Sequence, residues 1–537
     1  MKKISILGLS VLLLAACTDL ETEPGGKYVT SSQLEEMSKT NPGNMISSSV
    51  NAIFASFKEY MPITGGGAER HNDFGYPSIM MFTDNNGFDM VSEDNGYNWS
   101  GNELDYTDRV YTSYESEIVW NTMYQMIFAA NNVISKIDSE SPDPTGKLYA
   151  GNIQAVRAFC YWNLAQLYQF NYVDHKSDPC VPIITEANAD DAAINGCPRA
   201  TVEQVYDQIL SDINAAVSFL EFAESNGASR DDRRFIDLAT AYGIRARINL
   251  TMENWAAAAE DAQKAIDNSD AEPSSLALAS RPAFMDIEEC NWMWGILVDE
   301  TDRIVTSGIV NFPSHLGSFN YGYCWYSGGR QISKKLFNLI PETDVRKGWF
   351  LDDKCFSKNL TEEELYVMND YVGYAPYTQV KFAPYNNVMY QDVNASDIPL
   401  MRIEEMYLIK AEGLAMSGNT TDAVSCLNTF VSTYRDPEYN CTLTDKAAIQ
   451  NEVWNQRRVE LWGEGLAWFD IMRLKKGVDR RGCGYNDATA ACIFNIAPDD
   501  PILLWRLPES EIQANKQISD KDNNETVPAP EPVDDIE

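Results

Sequence analysis

Ala246 to Ile266 reads ARINLTMENWAAAAEDAQKAI, and Ala411 to Val431 reads AEGLAMSGNTTDAVSCLNTFV. Set one on the other, Leu250 falls on Ala415, Asn254 on Asn419, Ala258 on Ala423, Ala259 on Val424, Ala262 on Leu427 and Ile266 on Val431. Each segment reads as helix, short turn, helix, with small residues where two helices must approach closely, as tetratricopeptide-like pairs are built. The copies stand 165 positions apart, whereas a regular array of that kind repeats about every 34 residues. The pattern predicts an all-α scaffold of helical pairs separated by long insertions.

Helical spacing extends beyond these two segments. Val119, Met123, Ile127, Ala130 and Ile134 recur at helical intervals, and 155–170 and 202–219 repeat the pattern, while strand alternation is scarce. Three stretches lose the period: 65–108, rich in Gly, Asn and Asp; 273–329, rich in Trp, Tyr, Gly and Ser; and 351–399, of mixed composition. Binding residues concentrate on such loops when a rigid scaffold holds them. A chain of 537 residues is long enough for several domains, but nothing in its interior reads as a linker. One large core is expected over 28–515, and the acidic, proline-containing stretch 516–537 is expected to be disordered.

The chain opens Met1-Lys2-Lys3, runs through an apolar stretch from Ile4 to Leu14 and reaches Ala15-Ala16-Cys17, which marks 1–16 as a secretory signal. Leu14-Ala15-Ala16-Cys17 looks like a bacterial lipobox, in which Cys17 receives a diacylglycerol and becomes the mature N-terminus. Two or three acyl chains, at about 0.8 kcal/mol per buried methylene, anchor stably where one does not. Residues 17–27 then read as a polar tether. No later stretch approaches the roughly 20 apolar residues of a membrane-spanning helix.

Acidic residues outnumber basic ones 79 to 42, a net charge of −37, and loss of the signal with Lys2 and Lys3 deepens it to −39. Such a surface repels phosphate backbones, which excludes nucleic acid as a partner. Ten cysteines follow Cys17 without a C-x-x-C pair, so a structural zinc site has little support. Cys180 with Cys197, and Cys483 with Cys492, are near enough in sequence to close local loops, whereas Cys160 and Cys426 fall in helical stretches where free thiols are common. Pairing stays open. No cofactor is expected, and a structural calcium ion is left open.

Further motifs follow in chain order. Val156-Arg157-Ala158-Phe159-Cys160-Tyr161-Trp162-Asn163-Leu164 leads through Leu167-Tyr168 to Val181-Pro182-Ile183, and Pro198-Arg199-Ala200-Thr201 leads to Val205-Tyr206, Ile209 and Asp212. Met401-Arg402-Ile403-Glu404-Glu405-Met406-Tyr407-Leu408 precedes Ala411-Glu412; Arg457-Arg458-Val459-Glu460-Leu461 precedes Glu464-Gly465, Trp468-Phe469-Asp470 and Arg473; Leu507-Pro508 precedes Glu511-Ile512 and Asn515. Read as residues alone, Ile403, Met406, Tyr407, Ala411 and Leu414 make one apolar helix face, with Arg402, Glu404, Glu405 and Glu412 largely beside or opposite it. Arg457, Glu460, Glu464 and Trp468 recur at intervals that permit Arg–Glu pairs along one helix. All of these read as scaffold.

Taken together, the motifs resemble those of the SusD/RagB family, from about Val119 to Asn515. Gln456 stands where the family often has Glu, and Ala467 where it often has Arg. The resemblance implies an N-terminal half of about 28–270 and a C-terminal half of about 271–515. It also implies a surface lipoprotein that captures a glycan, without catalysis, as a lid over a SusC-like TonB-dependent outer-membrane transporter. Capture of peptides, as RagB-type members are thought to do, and a purely structural adaptor are the competing readings.

Catalysis finds little support in the residues. His71, His175 and His315 are scattered, and the sequence holds no H-E-x-x-H, nucleophile elbow, phosphate loop or dinucleotide fingerprint. A glycosidase needs only two suitably spaced carboxylates; Asp84, Asp89 and Asp94 are the group to inspect, with solvated loop carboxylates the plainer account. Binding has better material in Tyr97 and Trp99 of the first insertion and Trp292, Trp294, Phe319, Tyr321, Tyr323, Trp325 and Tyr326 of the second. An aromatic face suits the C–H face of a pyranose while polar neighbours meet its hydroxyls. Gly322, Gly328 and Gly329 favour exposure of Trp325 and Tyr326 over Trp292 and Trp294, and Asp73, Asn98 and Arg330 are the expected polar contacts.

Overall fold

The computed structural model describes residues 42–61, 72–92, 101–138, 140–306, 312–316, 329–389, 393–485 and 487–536. The chain divides into two units, Met1–Ser49 and Val50–Glu537. The described part of the first is the start of helix α1, Pro42–Ala55; all later elements belong to the second.

Helices of the second unit begin where local chemistry dictates. Asp143 accepts from the amides of Thr145 and Gly146, and Pro144 occupies the first turn of α4, Pro144–Tyr168. A reciprocal pair, Thr201 with Gln204, opens α5, Val202–Ser225, whose Val205, Ile209, Ile213, Ala216 and Leu220 form one buried stripe. Preceding them are α2, Tyr76–Asn86, and α3, Tyr114–Ile134. After α5 come α6, Leu238–Thr251, and α7, Trp255–Asn268; later α8, Ile403–Met416, α9, Thr420–Tyr434, α10, Lys446–Glu460, and α11, Ala467–Arg473. Helix α3 packs on α4, α4 on α5, α5 on α6, α6 on α7, α7 on α8, and α8 on both α9 and α10. This is an all-α, tetratricopeptide-like stack of helical pairs.

The two aligned segments fold as α6–α7 and α8–α9, and their turns match bond for bond. Asn254 N donates to Asn249 O and Asn419 N to Leu414 O, both at 2.8 Å. The turn residue is left-handed in each, Glu253 at φ 58° and Gly418 at φ 99°. Small residues sit where helices cross: a Cβ on Gly413 would lie 2.5 Å from Trp255 O on α7, and one on Gly151 2.6 Å from Leu220 Cγ on α5.

The stretch 65–108, expected as loop, holds α2, all of whose residues are buried. A helix enclosed on every side shows no amphipathic period, which is why its spacing is silent. Among the described residues, strands form three two-stranded ribbons: β1, Met90–Ser92, with β3, Arg330–Ile332; β2, Trp292–Ile296, with β4, Ile398–Arg402; and β5, Val478–Asp479, with β6, Asn495–Ile496. Trp292 and Trp294 of β2 are fully buried core.

Arg402, which caps α8, and the acidic residues of that helix are not at the surface either. Arg402, Glu404, Glu405 and Glu412 are each buried to within 1 %, because another layer covers that side of the helix. Glu460 receives Arg402 at 3.0 Å, Arg435 at 2.8 Å and Arg346 at 3.2 Å; Glu464 receives Arg402 at 2.8 Å and Lys381 at 2.6 Å. Arg457 therefore pairs away from its own helix neighbours, with Asp470 at 2.7 Å, and Glu412 takes Arg473 at 2.6 Å. Gln456 accepts from Arg346 at 2.5 Å.

The tail also departs from expectation. Asp520 pairs with Arg506 at 2.9 Å, the Asn524 amide donates to Tyr168 O and Trp505 O, and Val533 N donates to Ile493 O at 2.8 Å. Backbone and side-chain amides hold this acidic segment where its composition offers no apolar stripe.

Candidate functional site

The ribbon of β1 and β3 is the root of both aromatic insertions. Its register pairs Met90 with Ile332, Val91 with Gln331 and Ser92 with Arg330. Segment 93–100 therefore departs from Ser92 beside the point where 317–328 re-enters at 329 and Arg330. The root is fixed from behind: the Arg458 guanidinium holds the Asp89 carboxylate at 2.6 and 2.8 Å, Trp462 Nε1 donates to Asp89 O at 2.9 Å, and Gln379 N donates to Arg330 O at 2.8 Å.

The residues expected as polar ligand contacts are part of this root. Arg330 is 4 % exposed; it donates to Ser92 Oγ across the ribbon and to His315 O at 3.2 Å. Gln379 Nε2 donates to Leu316 O at 2.8 Å, so the departure and return of 317–328 are held together. Asp73 is fully buried and accepts from Met61 N at 3.0 Å, closing the ends of 62–71. Glu115 accepts from Asn72 at 3.0 Å and Asn102 at 3.1 Å, linking the return of 62–71 to that of 93–100. Asp73 and Arg330 thus act as clamps, a role their sequence surroundings cannot separate from ligand contact. Tyr97, Asn98, Trp99, Phe319, Tyr321, Tyr323, Trp325 and Tyr326, like Cys17, His71 and Asp94, lie outside the described residues. Gln379, Ser92 and Glu115 went unnoticed in the sequence because their partners are distant or chemically ordinary.

Beneath the root lie carboxylates of unusual protonation. Burial, reinforced by Glu115 and Asp108, holds Glu103 well above the ordinary carboxylate range, and neither of its oxygens has a hydrogen-bond partner among the described residues. Burial brings Asp108 to about 7 despite Arg109 at 2.7 Å, and Asp84 to about 7 despite the amides of Gly465 and Ala467. Asp84 tethers the start of α11 and Asp89 serves Arg458, so neither is the solvated loop carboxylate expected, and neither is set against open space for acid–base work. Among the described residues no group of three His, Cys, Asp or Glu could hold a metal ion, no helix is long and apolar enough to cross a membrane, and no disulfide joins two cysteines.

Comparison with known proteins accords with this architecture. Residues 63–250 match the family model described as "Starch-binding associating with outer membrane", and 348–526 match that of the SusD family. SusD-like protein P38 of Formosa agariphila is 25 % identical over 391 residues, covering 68 % of this chain and 73 % of its own; SusD-like protein P2 of the same organism is 26 % identical over 389 residues, covering 67 % and 71 %. The crystal structure of a SusD-like carbohydrate binding protein from Bacteroides vulgatus superposes with a TM-score of 0.73 at 22 % identity, over 90 % of this chain and 98 % of that one. A laminarin binding SusD-like protein superposes at 0.61 and 17 % identity, over 90 % and 98 %. The chain belongs to the SusD/RagB family.

Proposed function

We propose that the protein is a lipid-anchored surface receptor that binds an oligosaccharide and delivers it, uncut, to a SusC-like TonB-dependent outer-membrane transporter. Tyr97, Asn98 and Trp99 with Tyr321, Tyr323, Trp325 and Tyr326 form the binding surface, and acylated Cys17 forms the anchor. The observation that carries this reading is the shared root, where Ser92 and Arg330 are register partners. Reach along a chain is at most about 3.5 Å per residue, so two aromatic segments departing from one point serve a single ligand of a few sugar units. The carbohydrate-binding and laminarin-binding relatives support glycan as the cargo. The buried, committed states of Asp84 and Asp89 support binding without hydrolysis.

Native gels cast with soluble starch, laminarin, xylan, galactomannan or α-mannan test the reading. At least one polysaccharide retards the wild-type protein, and Trp99→Ala with Trp325→Ala abolishes the retardation. Retention of mixed peptides with no retarding polysaccharide would replace it by peptide capture.

A further inference from the structure

Resting on that reading, we infer that a recess between Tyr377 and Phe356 is a second carbohydrate subsite, which takes one neutral pyranose unit of a glycan already held at the insertions. The recess encloses about 380 Å³, within the range of small-ligand sites. Its walls are built rather than incidental. Leu351 N donates to Thr378 O at 2.9 Å and Tyr377 N to Leu351 O at 3.1 Å, fixing one wall. Asp352 Oδ1 accepts from the amides of Lys354 and Phe356, each at 2.8 Å, fixing the other. Both walls contain a left-handed residue that is not glycine, Cys355 at φ 58° and Tyr377 at φ 69°, conformations that persist only where the surroundings impose them.

The chemistry left facing the recess is that of a sugar site. Tyr377 stands edge-on to Phe337, centroids 5.2 Å apart at 74°, and Phe356 is 52 % exposed, a ring surplus to the core. Of the nearby cations, Lys347 donates to Ile340 O and pairs with Glu342 at 2.6 Å, Lys358 donates to Glu342 O and Asp344 O, and Lys334 lies over the Tyr377 ring, 5.7 Å from its centroid. What remains is acceptor-rich, the exposed Asp353 carboxylate, Asp352 Oδ2 and the Tyr377 hydroxyl. Burial, then Asp353 and Asp352, raise the Tyr377 phenol above its ordinary value, as expected if those groups share one space. Adjacent hydroxyls of a pyranose donate to a carboxylate while its C–H face lies on a ring; an anionic sugar meets Asp352 and Asp353 with the wrong sign.

Position ties the recess to the insertions. Ile332 N donates to Tyr377 O at 3.0 Å and Gln331 bridges Thr378. Ile332 lies two residues along β3 from Arg330, about 7 Å, so the backbone that carries Tyr377 is fixed to the same strand that receives the chain after 317–328.

The test uses whichever of the five polysaccharides retards the wild-type protein. Phe356 and Asp353 are both exposed, so Phe356→Ala with Asp353→Ala leaves the fold intact and weakens retention about fivefold, the scale of one stacked sugar. Hydrogen exchange of the unaltered protein with oligosaccharides cut from that polysaccharide reads the same place without substitution, as slowed exchange over 352–358. Equal retardation of the variant, or unslowed exchange there, overturns the subsite and leaves the proposed function standing. A wild-type protein retarded by none of the five overturns both.

Discussion

Two buried polar regions of this chain solve the same problem in opposite ways. Around Glu460, acids and bases alternate: burial alone would raise its pKa, but Arg435, Arg402 and Arg346 hold it well below the ordinary range. Glu464 is lowered in the same way by Arg402 and Lys381. Around Glu103, burial acts with Glu115 and Asp108 beside it, and the pKa rises. The first region is a charged lattice joining β4, α8, α9 and α10; the second is a group of carboxylates whose hold on their protons burial strengthens. The contrast separates a scaffold in which several cations share each carboxylate from a region whose ion pairs are single, Asp89 with Arg458 and Asp108 with Arg109.

Breaking the lattice gives the largest effect. Glu460→Ala leaves three guanidinium groups without their shared partner, and removing one member of a buried pair costs roughly 3–5 kcal/mol. Urea denaturation reads this as a lower midpoint, and an unchanged midpoint refutes the lattice as scaffold.

The pH dependence sharpens the comparison next. Asp84 and Asp108 have folded pKa values near 7, above their unfolded values. They bind protons more tightly folded, so their contribution is full below about pH 4 and is lost as pH rises towards 7. Glu460, Glu464 and Asp470 have lowered values, so their contribution is present above about pH 4.5 and is lost on further acidification. Melting temperature therefore passes through a maximum in mildly acidic buffer. Asp84→Asn, which mimics the neutral acid, flattens the limb between pH 4 and 7 by an amount on the order of a few kcal/mol; a limb unaltered by that change contradicts the assignment.

The smallest effect concerns the matched hairpins. Gly418→Ala places a Cβ at φ 99° and destabilises by about 1 kcal/mol, while Glu253→Gly at the equivalent turn is neutral or stabilising. Opposite signs in thermal melts confirm the equivalence; equal signs break it.

Much of the scaffold was legible because helical pairing writes itself as spacing. Ala246 on Ala411 predicts two hairpins whose turn hydrogen bonds coincide. Helix α2 was not legible, since YPSIMMFTDNN is buried on all sides and has no polar face to mark its period. Nor was the burial of Arg402 and Glu404, because a charged helix face looks the same whether water or another charged layer covers it. At the site, the burial of Asp73 and Arg330 and their bonds to Met61 N, Ser92 and His315 O were not legible, because a buried clamp and a ligand contact use the same side-chain chemistry. Trp292 and Trp294 stand in the short apolar run WMWGI, the pattern of a strand buried on both faces, and the structure buries them both.

The central claim is capture without cleavage at the insertions rooted on Ser92 and Arg330. Titration calorimetry of the wild-type protein with an oligosaccharide from the retarding polysaccharide, followed by mass analysis of the recovered ligand, tests it most directly. The account predicts saturable binding, loss of the signal in Trp99→Ala with Trp325→Ala, and a ligand recovered at its original mass. Shortened ligand, or binding undiminished by that double change, would contradict it.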